Sequence, residues 1–241
     1  MKTILCVLLI TWATYSIAQE PPKGFISLFN GKDFSGWKVP DGDNGHWKII
    51  EGVIDYDAES EAKEKDLWTA KEYKDFELYV DWRIKATPYS NTRVPFVLPS
   101  GLHKLDENGK PIVITVPDSD SGLFLRGFSK SQVNIWCWPI GSGEVYGYRM
   151  DDKMSPEVRK GVTPVTHADK NIGEWNTFHI TMKKDRLTVE LNGIVVIKDA
   201  QLPGIPESGP IALQHHGSKK DGAWNSPPSL VQFRNIYIKE L

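Results

Sequence analysis

From Phe76 to Lys85 apolar and polar side chains alternate without a break. Phe76, Leu78, Val80, Trp82 and Ile84 fall on one side; Glu77, Tyr79, Asp81, Arg83 and Lys85 fall on the other. A period of two over ten residues fits a half-buried antiparallel strand and no other regular element. The same alternation recurs along the chain with turn residues between runs. "HWKIIEGVIDY" reads as a hairpin around Glu51-Gly52. "TFHITMKKDRLTVELNGIVVIKDA" reads as three strands joined at Lys184-Asp185 and Asn192-Gly193. "FISLFNG", "GPIALQHHG" and "LVQFRNIYIKEL" add further strands. Helical periodicity is confined to about one turn after Ser155-Pro156. Many short strands without long helices predict an all-β protein, a sandwich or a barrel.

Two segments are too long for tight turns. Residues 87–120 form a Pro/Gly/Asp-bearing insertion with a small hairpin predicted at Lys110 to Val116, and residues 150–171 form a second long connection. Long connections in a compact domain carry function more often than they carry the core. Both flank residues 120–149, so they are expected to be walls or lids of a site. The first residues, "MKTILCVLLITWATYSIAQE", have a positive start, an apolar run too short to span a bilayer comfortably, and Ser16 and Ala18 before a cut. This predicts a signal peptide over residues 1–18, a mature domain over 19–241, and secretion or periplasmic export. The mature chain keeps one cysteine, Cys137, and so has no internal disulfide. Cys137 falls on the apolar side of its strand and reads as a small buried hydrophobe. A net charge of −2 gives no electrostatic footprint for nucleic acid or an anionic membrane. Oligomeric state is left open.

The stretch "DSGLFLRGFSKSQVNIWCWPIGSGEVYGYR" (120–149) carries the chemistry. Leu123, Leu125, Val133, Ile135 and Val145 fall on odd positions and face a core. Arg126, Gln132, Asn134, Trp136, Trp138, Glu144, Tyr146 and Tyr148 fall on even positions and line the other face. Amides and arginine bind vicinal hydroxyls, and indoles cover the C–H face of a sugar ring. The nine tryptophans of the chain fit that use. They also fit a second one, in which they cover the sheet beneath long loops.

In "LQHHG", Gln214 and His216 join the polar face if Ile211 and Leu213 lie in the core, and His215 is then a satisfied core or edge histidine. A His-His pair on a strand points two ways and is weak evidence for a metal. Asp118 and Asp120 are read as solvated loop acids with the composition of a calcium loop, so no cofactor or metal site is expected, and a divalent ion is left open. Glu144 is read as the best-placed carboxylate: an isolated acid among tyrosines can serve in proton transfer. It can equally pair with Arg126 or Arg149 to fix the sheet. Ordinary glycosidases need two carboxylates flanking the bond, and "EVYGYR" offers one.

"SLFNGKDFSGW", "DFELYVDWRI", "DSGLFLRG", "GEWNTFHITMKKDRLTVELNG", "GPIALQHHG" and "FRNIYIKEL" occur in this order. Together they resemble the 3-keto-disaccharide hydrolase domain family across essentially the whole mature chain. The resemblance implies a concanavalin-like jelly roll with a sugar-binding concave sheet. It implies bacterial polysaccharide degraders as the setting, and cleavage of glycosides already oxidised to a ketone at C3. The chain departs from the commoner family pattern at Gln132, where many members carry an acid, and at "WCWP". The expected mechanism is proton abstraction at C2, elimination and hydration. Glu144 and His216 are expected to share the proton transfer, with Arg126 or Gln214 on the enolate oxygen. A lectin-like module with no catalysis is the alternative from another class.

Overall fold

The computed structural model describes residues 20–241; the predicted leader lies outside them. In chain order the elements are Ile26–Ser27 (β1), Trp37–Lys38 (β2), Trp47–Ile50 (β3), Val53–Tyr56 (β4), Leu67–Thr69 (β5), Phe76–Ile84 (β6), Tyr89–Pro95 (β7), Val113–Asp118 (β8), Asp120–Leu125 (β9) and Phe128–Trp136 (β10). Two short helices follow, Tyr146–Arg149 (α1) and Pro156–Gly161 (α2). The chain then runs through Asn176–Lys183 (β11), Arg186–Leu191 (β12), Ile194–Gln201 (β13), Ala212–Leu213 (β14), Lys219–Lys220 (β15), Ala223–Trp224 (β16) and Val231–Glu240 (β17).

Two antiparallel sheets face each other as a jelly-roll sandwich. The larger has the order β13-β12-β11-β6-β17-β4-β3, with β1 paired to β17; the smaller has the order β10-β9-β14-β5-β2. The period-two strand at Phe76 becomes β6, in which every second residue is buried, held between β11 and β17. The predicted turns form where left-handed backbone is available. Glu51 and Gly52 have φ of 50° and 78°, and Asn192 and Gly193 have φ of 54° and 82°, the conformation of two-residue hairpin turns. The inward faces build one apolar cluster that includes Val133, Ile135, Val189, Leu213, Phe233 and Ile236. Within it, on neighbouring strands of the larger sheet, Trp82 packs on Phe178 with ring centroids 5.3 Å apart.

Three local readings are corrected. The insertion is one long hairpin, β7 against β8, rather than a small one starting at Lys110. Strand β8 runs to Asp118 and β9 begins at Asp120, so these acids stand at strand ends and not in a loop. The third concerns "EVYGYR", which is not a strand. The chain leaves the sheet after Trp136, turns at Gly141 and Gly143 with φ of 89° and 101°, and enters α1. Gly147 permits this, because a Cβ there would stand 2.5 Å from the carbonyl oxygen of Lys130 on β10. Period-two parity has no meaning beyond Trp136.

Candidate functional site

The outer face of the smaller sheet carries a cavity of about 430 Å³. Asp120, Gln132, Asn134, Trp136, Gln214 and His216 line its sheet side, with Trp138, Tyr146, Asn91 and Pro227 around them. This volume lies within the usual range of small-molecule sites. Strands β9 and β10 pair so that Trp136 is opposite Asp120 and Asn134 is opposite Gly122. Strand β14 pairs with β9 on the other side, and the backbone N–H of Gln214 donates to the Gly122 carbonyl at 2.9 Å. Gly122 is the floor. A Cβ there would stand 2.8 Å from Gln132 Cγ, Gln132 Nε2 and the Val133 carbonyl oxygen. Over it the two amides pair reciprocally: Gln132 Nε2 donates to Gln214 Oε1 at 2.6 Å, and Gln214 Nε2 donates to Gln132 Oε1 at 3.1 Å.

The aromatic wall is built in two layers. Trp136 and Trp138 stack with centroids 4.1 Å apart and planes 5° apart, and Tyr146 stands at 87° and 89° to them. Trp136 is buried, with its indole N–H on the Gly141 carbonyl. Trp138 is half-buried, and its Nε1 donates to Asp118 Oδ2 at 3.1 Å. The same oxygen accepts from Asn91 Nδ2 at 2.8 Å. Asp118 is fully buried and its carboxyl is pushed up by that burial, against the pull of these donors. It therefore fastens the insertion to the aromatic wall. It is not a solvated acid, and among the described residues no cluster of three or more metal-ligating side chains occurs.

Asp120, read from the sequence as a solvated loop acid, is an ionisable group of this cavity. Burial pushes its carboxyl to about 7; nearby His216 pulls it down, and Asp118 adds to the rise. Its Oδ1 is buried without a hydrogen-bond partner. His216 is beside it: Ser229 Oγ donates to the Asp120 carbonyl at 2.7 Å and accepts the His216 backbone N–H at 2.5 Å. His216 Nδ1 is 2.6 Å from the Pro227 carbonyl. A carbonyl only accepts, so Nδ1 carries the proton, and in the neutral ring Nε2 holds a lone pair. His215 is the satisfied partner: it accepts from the Tyr56 hydroxyl at Nδ1, 2.8 Å away, and donates from Nε2 to the Gly217 carbonyl at 3.1 Å. Burial pushes its pKa down to about 4.

Three predicted site residues lie elsewhere. Arg126 sits past the end of β9 in a turn with φ of 52°. Its guanidinium is held by the carbonyls of Lys74, Lys184 and Pro206 and by Asp75, with Nη2 to Oδ1 at 2.9 Å. Tyr148 is buried in the core cluster with its hydroxyl on the Pro203 carbonyl. Glu144 is completely buried and paired with Arg149 Nε. Burial pushes the Glu144 carboxyl up while Arg149 pulls it down. Arg149 Nη1 continues to the Gly101 carbonyl and to His103 Nε2, so the pair clamps the insertion to α1. Parity assigned Glu144 to the open face, but the backbone there is no longer a strand. Parity does assign Asp120 to that face; its placement in a supposed loop hid it.

The comparisons bear on this architecture. A curated 3-keto-disaccharide hydrolase from Bacteroides thetaiotaomicron is 30% identical over 106 residues, which is 39% of this chain and 36% of that protein. The alignment thus spans little more than a third of the relative's length. A protein named as a proposed glycosyl hydrolase from Parabacteroides distasonis superposes with a TM-score of 0.59 and 23% identity, covering 91% of this chain and 85% of that one. A second from the same organism gives 0.54 and 20%, covering 90% and 94%. These two likenesses establish the fold. The family model for the 3-keto-alpha-glucoside-1,2-lyase-like domain matches residues 24–239, and the chain belongs to that family.

Proposed function

We propose that this chain is a secreted carbohydrate-active enzyme that cleaves glycosides carrying a ketone at C3. The observation that carries the reading is the pairing of Asp120 and His216 in one cavity beside an indole wall. The acid is raised to about 7 by burial, and the histidine is held as a base by the Pro227 carbonyl. The ketone acidifies the proton on C2. His216 Nε2 removes it, and the electrons move into an enolate on O3. Asp120, protonated, donates to the glycosidic oxygen as the C1–O bond breaks, leaving a C1–C2 double bond conjugated to the ketone. Water then adds its hydroxyl to C1, and a proton returns to C2. The sum is hydrolysis: one water consumed, two sugars or a sugar and an alcohol released. A buried acid that keeps its proton to about pH 7 beside an imidazole with its Nε2 lone pair free is what general acid–base work at neutral pH requires. Asn134, nearly fully buried beside them, replaces Arg126 as the donor proposed for the enolate oxygen.

The test compares a 3-keto-disaccharide with its unoxidised parent. Release of monosaccharide from the keto form alone is expected, with solvent deuterium appearing at C2. Binding of both sugars without turnover would favour the lectin-like alternative, for which the Trp136–Trp138 wall alone suffices.

A further inference from the structure

A second cavity, of about 250 Å³, opens at the mouth between the two sheets. It shares Trp136 with the first. Its inner wall is Trp82 and Ile84, the last two inward-facing residues of β6. The loop bearing His167, Lys170 and Asn171 forms its rim. Trp82 is 1% exposed, and its indole Nε1 is buried with no hydrogen-bond partner. A buried N–H left unpaired is costly, and native interiors rarely retain one without a reason. The cavity thus offers one fixed donor at depth, apolar walls, and a polar rim, which is the usual make-up of a small-molecule subsite.

We propose that this cavity binds the leaving-group half of the substrate, a second sugar ring with an oxygen accepting from Trp82 Nε1. The inference rests on the reading of Asp120 and His216 as the reacting groups. Trp136 is the cross-strand partner of Asp120, so the boundary between the two cavities coincides with the position of the proposed acid. A glycosidic oxygen held at Asp120 places one ring in the larger cavity and directs the other past Trp136 toward Trp82.

Two readouts on the same protein test this. The first is the ¹⁵N–¹H spectrum of the tryptophan indoles, with Trp82 and Trp138 assigned by loss of a peak in Trp82→Phe and Trp138→Phe. A 3-keto-disaccharide is expected to shift both indoles, and a methyl 3-keto-glycoside only that of Trp138. The second is turnover of both compounds. Trp82→Phe keeps an aromatic ring in the core but removes the donor, so kcat/KM for the disaccharide is expected to fall about tenfold relative to that for the methyl glycoside. Turnover with no movement of the Trp82 indole overturns the subsite and leaves the activity standing. Movement of Trp82 without turnover overturns the activity and leaves the subsite. If neither indole moves and nothing is released, both are overturned. Should Trp82→Phe fail to fold, triple-resonance assignment of the indoles in the wild-type protein identifies the Trp82 peak and the spectrum still decides the matter.

Discussion

Asp120 and His216 reach one cavity with opposite needs for a proton. Asp120 must hold one, and burial lets it do so up to about pH 7; His216 must lack one at Nε2. Replacing Asp120 with Asn removes the donor without changing shape, and kcat on a 3-keto-glycoside is expected to fall roughly 10²-fold, the ordinary scale for a general acid. The alkaline limb of the pH–rate profile, expected near 7 in the wild type, should vanish in Asp120→Asn; a limb that persists there would assign it to another group. His216→Ala is expected to cost a similar factor while sugar binding persists. For Trp138→Ala the expectation is reversed: affinity by calorimetry drops far more than stability does, although Asp118 loses one of its donors and Trp136 its cover. A collapse in stability with unchanged affinity per folded molecule would make Trp138 a cover for the sheet and not a platform.

At the scale of elements, the β7–β8 insertion is secured at two points. Asp118 binds both Asn91 and Trp138, and Arg149 binds Gly101 and His103 while paired with Glu144. Breaking the buried pair by Glu144→Ala should destabilise the protein by about 3–5 kcal/mol in denaturant titration, because it strands a buried guanidinium. Replacing both partners with Met and Leu should cost much less. These elements also show where the sequence was legible. Strands β6, β11 and β12 could be read residue by residue, since alternation is a local property of extended backbone, whereas β17 changes parity at a bulge around Asn235. So could the sheet side of the cavity at Gln132, Asn134, Trp136, Gln214 and His216, because those residues lie on or adjoin strands. Tyr148 and Glu144 could not, because glycine turns and a single helical turn carry them out of register. Arg126 was misread for a related reason: it keeps the parity of β9 but sits one residue beyond its end, where a positive φ redirects the side chain. The Asp118–Asp120 step looked like a loop because one non-strand residue, Ser119, separates two strands.

For the molecule as a whole, the buried acids give stability a definite pH dependence. Asp120 and Asp66 are raised by burial to about 7 and about 6. Between their unfolded pKa of about 4 and these values the folded state holds protons that the unfolded state has released. Stability therefore falls as pH rises through that window. Asp33 works in the other direction. Hydrogen bonds from Ser35 and Asn30 lower it to about 2, so its contribution is lost as pH falls from about 4 toward 2. A thermal midpoint that is greatest in mildly acidic buffer, and flatter toward neutrality in Asp120→Asn, is the expected scanning-calorimetry result. The single hydroxyl of Ser229, bonded to the backbone at both Asp120 and His216, has a consequence of another kind. It works as a strut between the start of β9 and the segment that follows β14. The spacing of acid and base is then a property of the folded chain before any sugar arrives, so the entropy of bringing them together is lost during folding and not at each turnover.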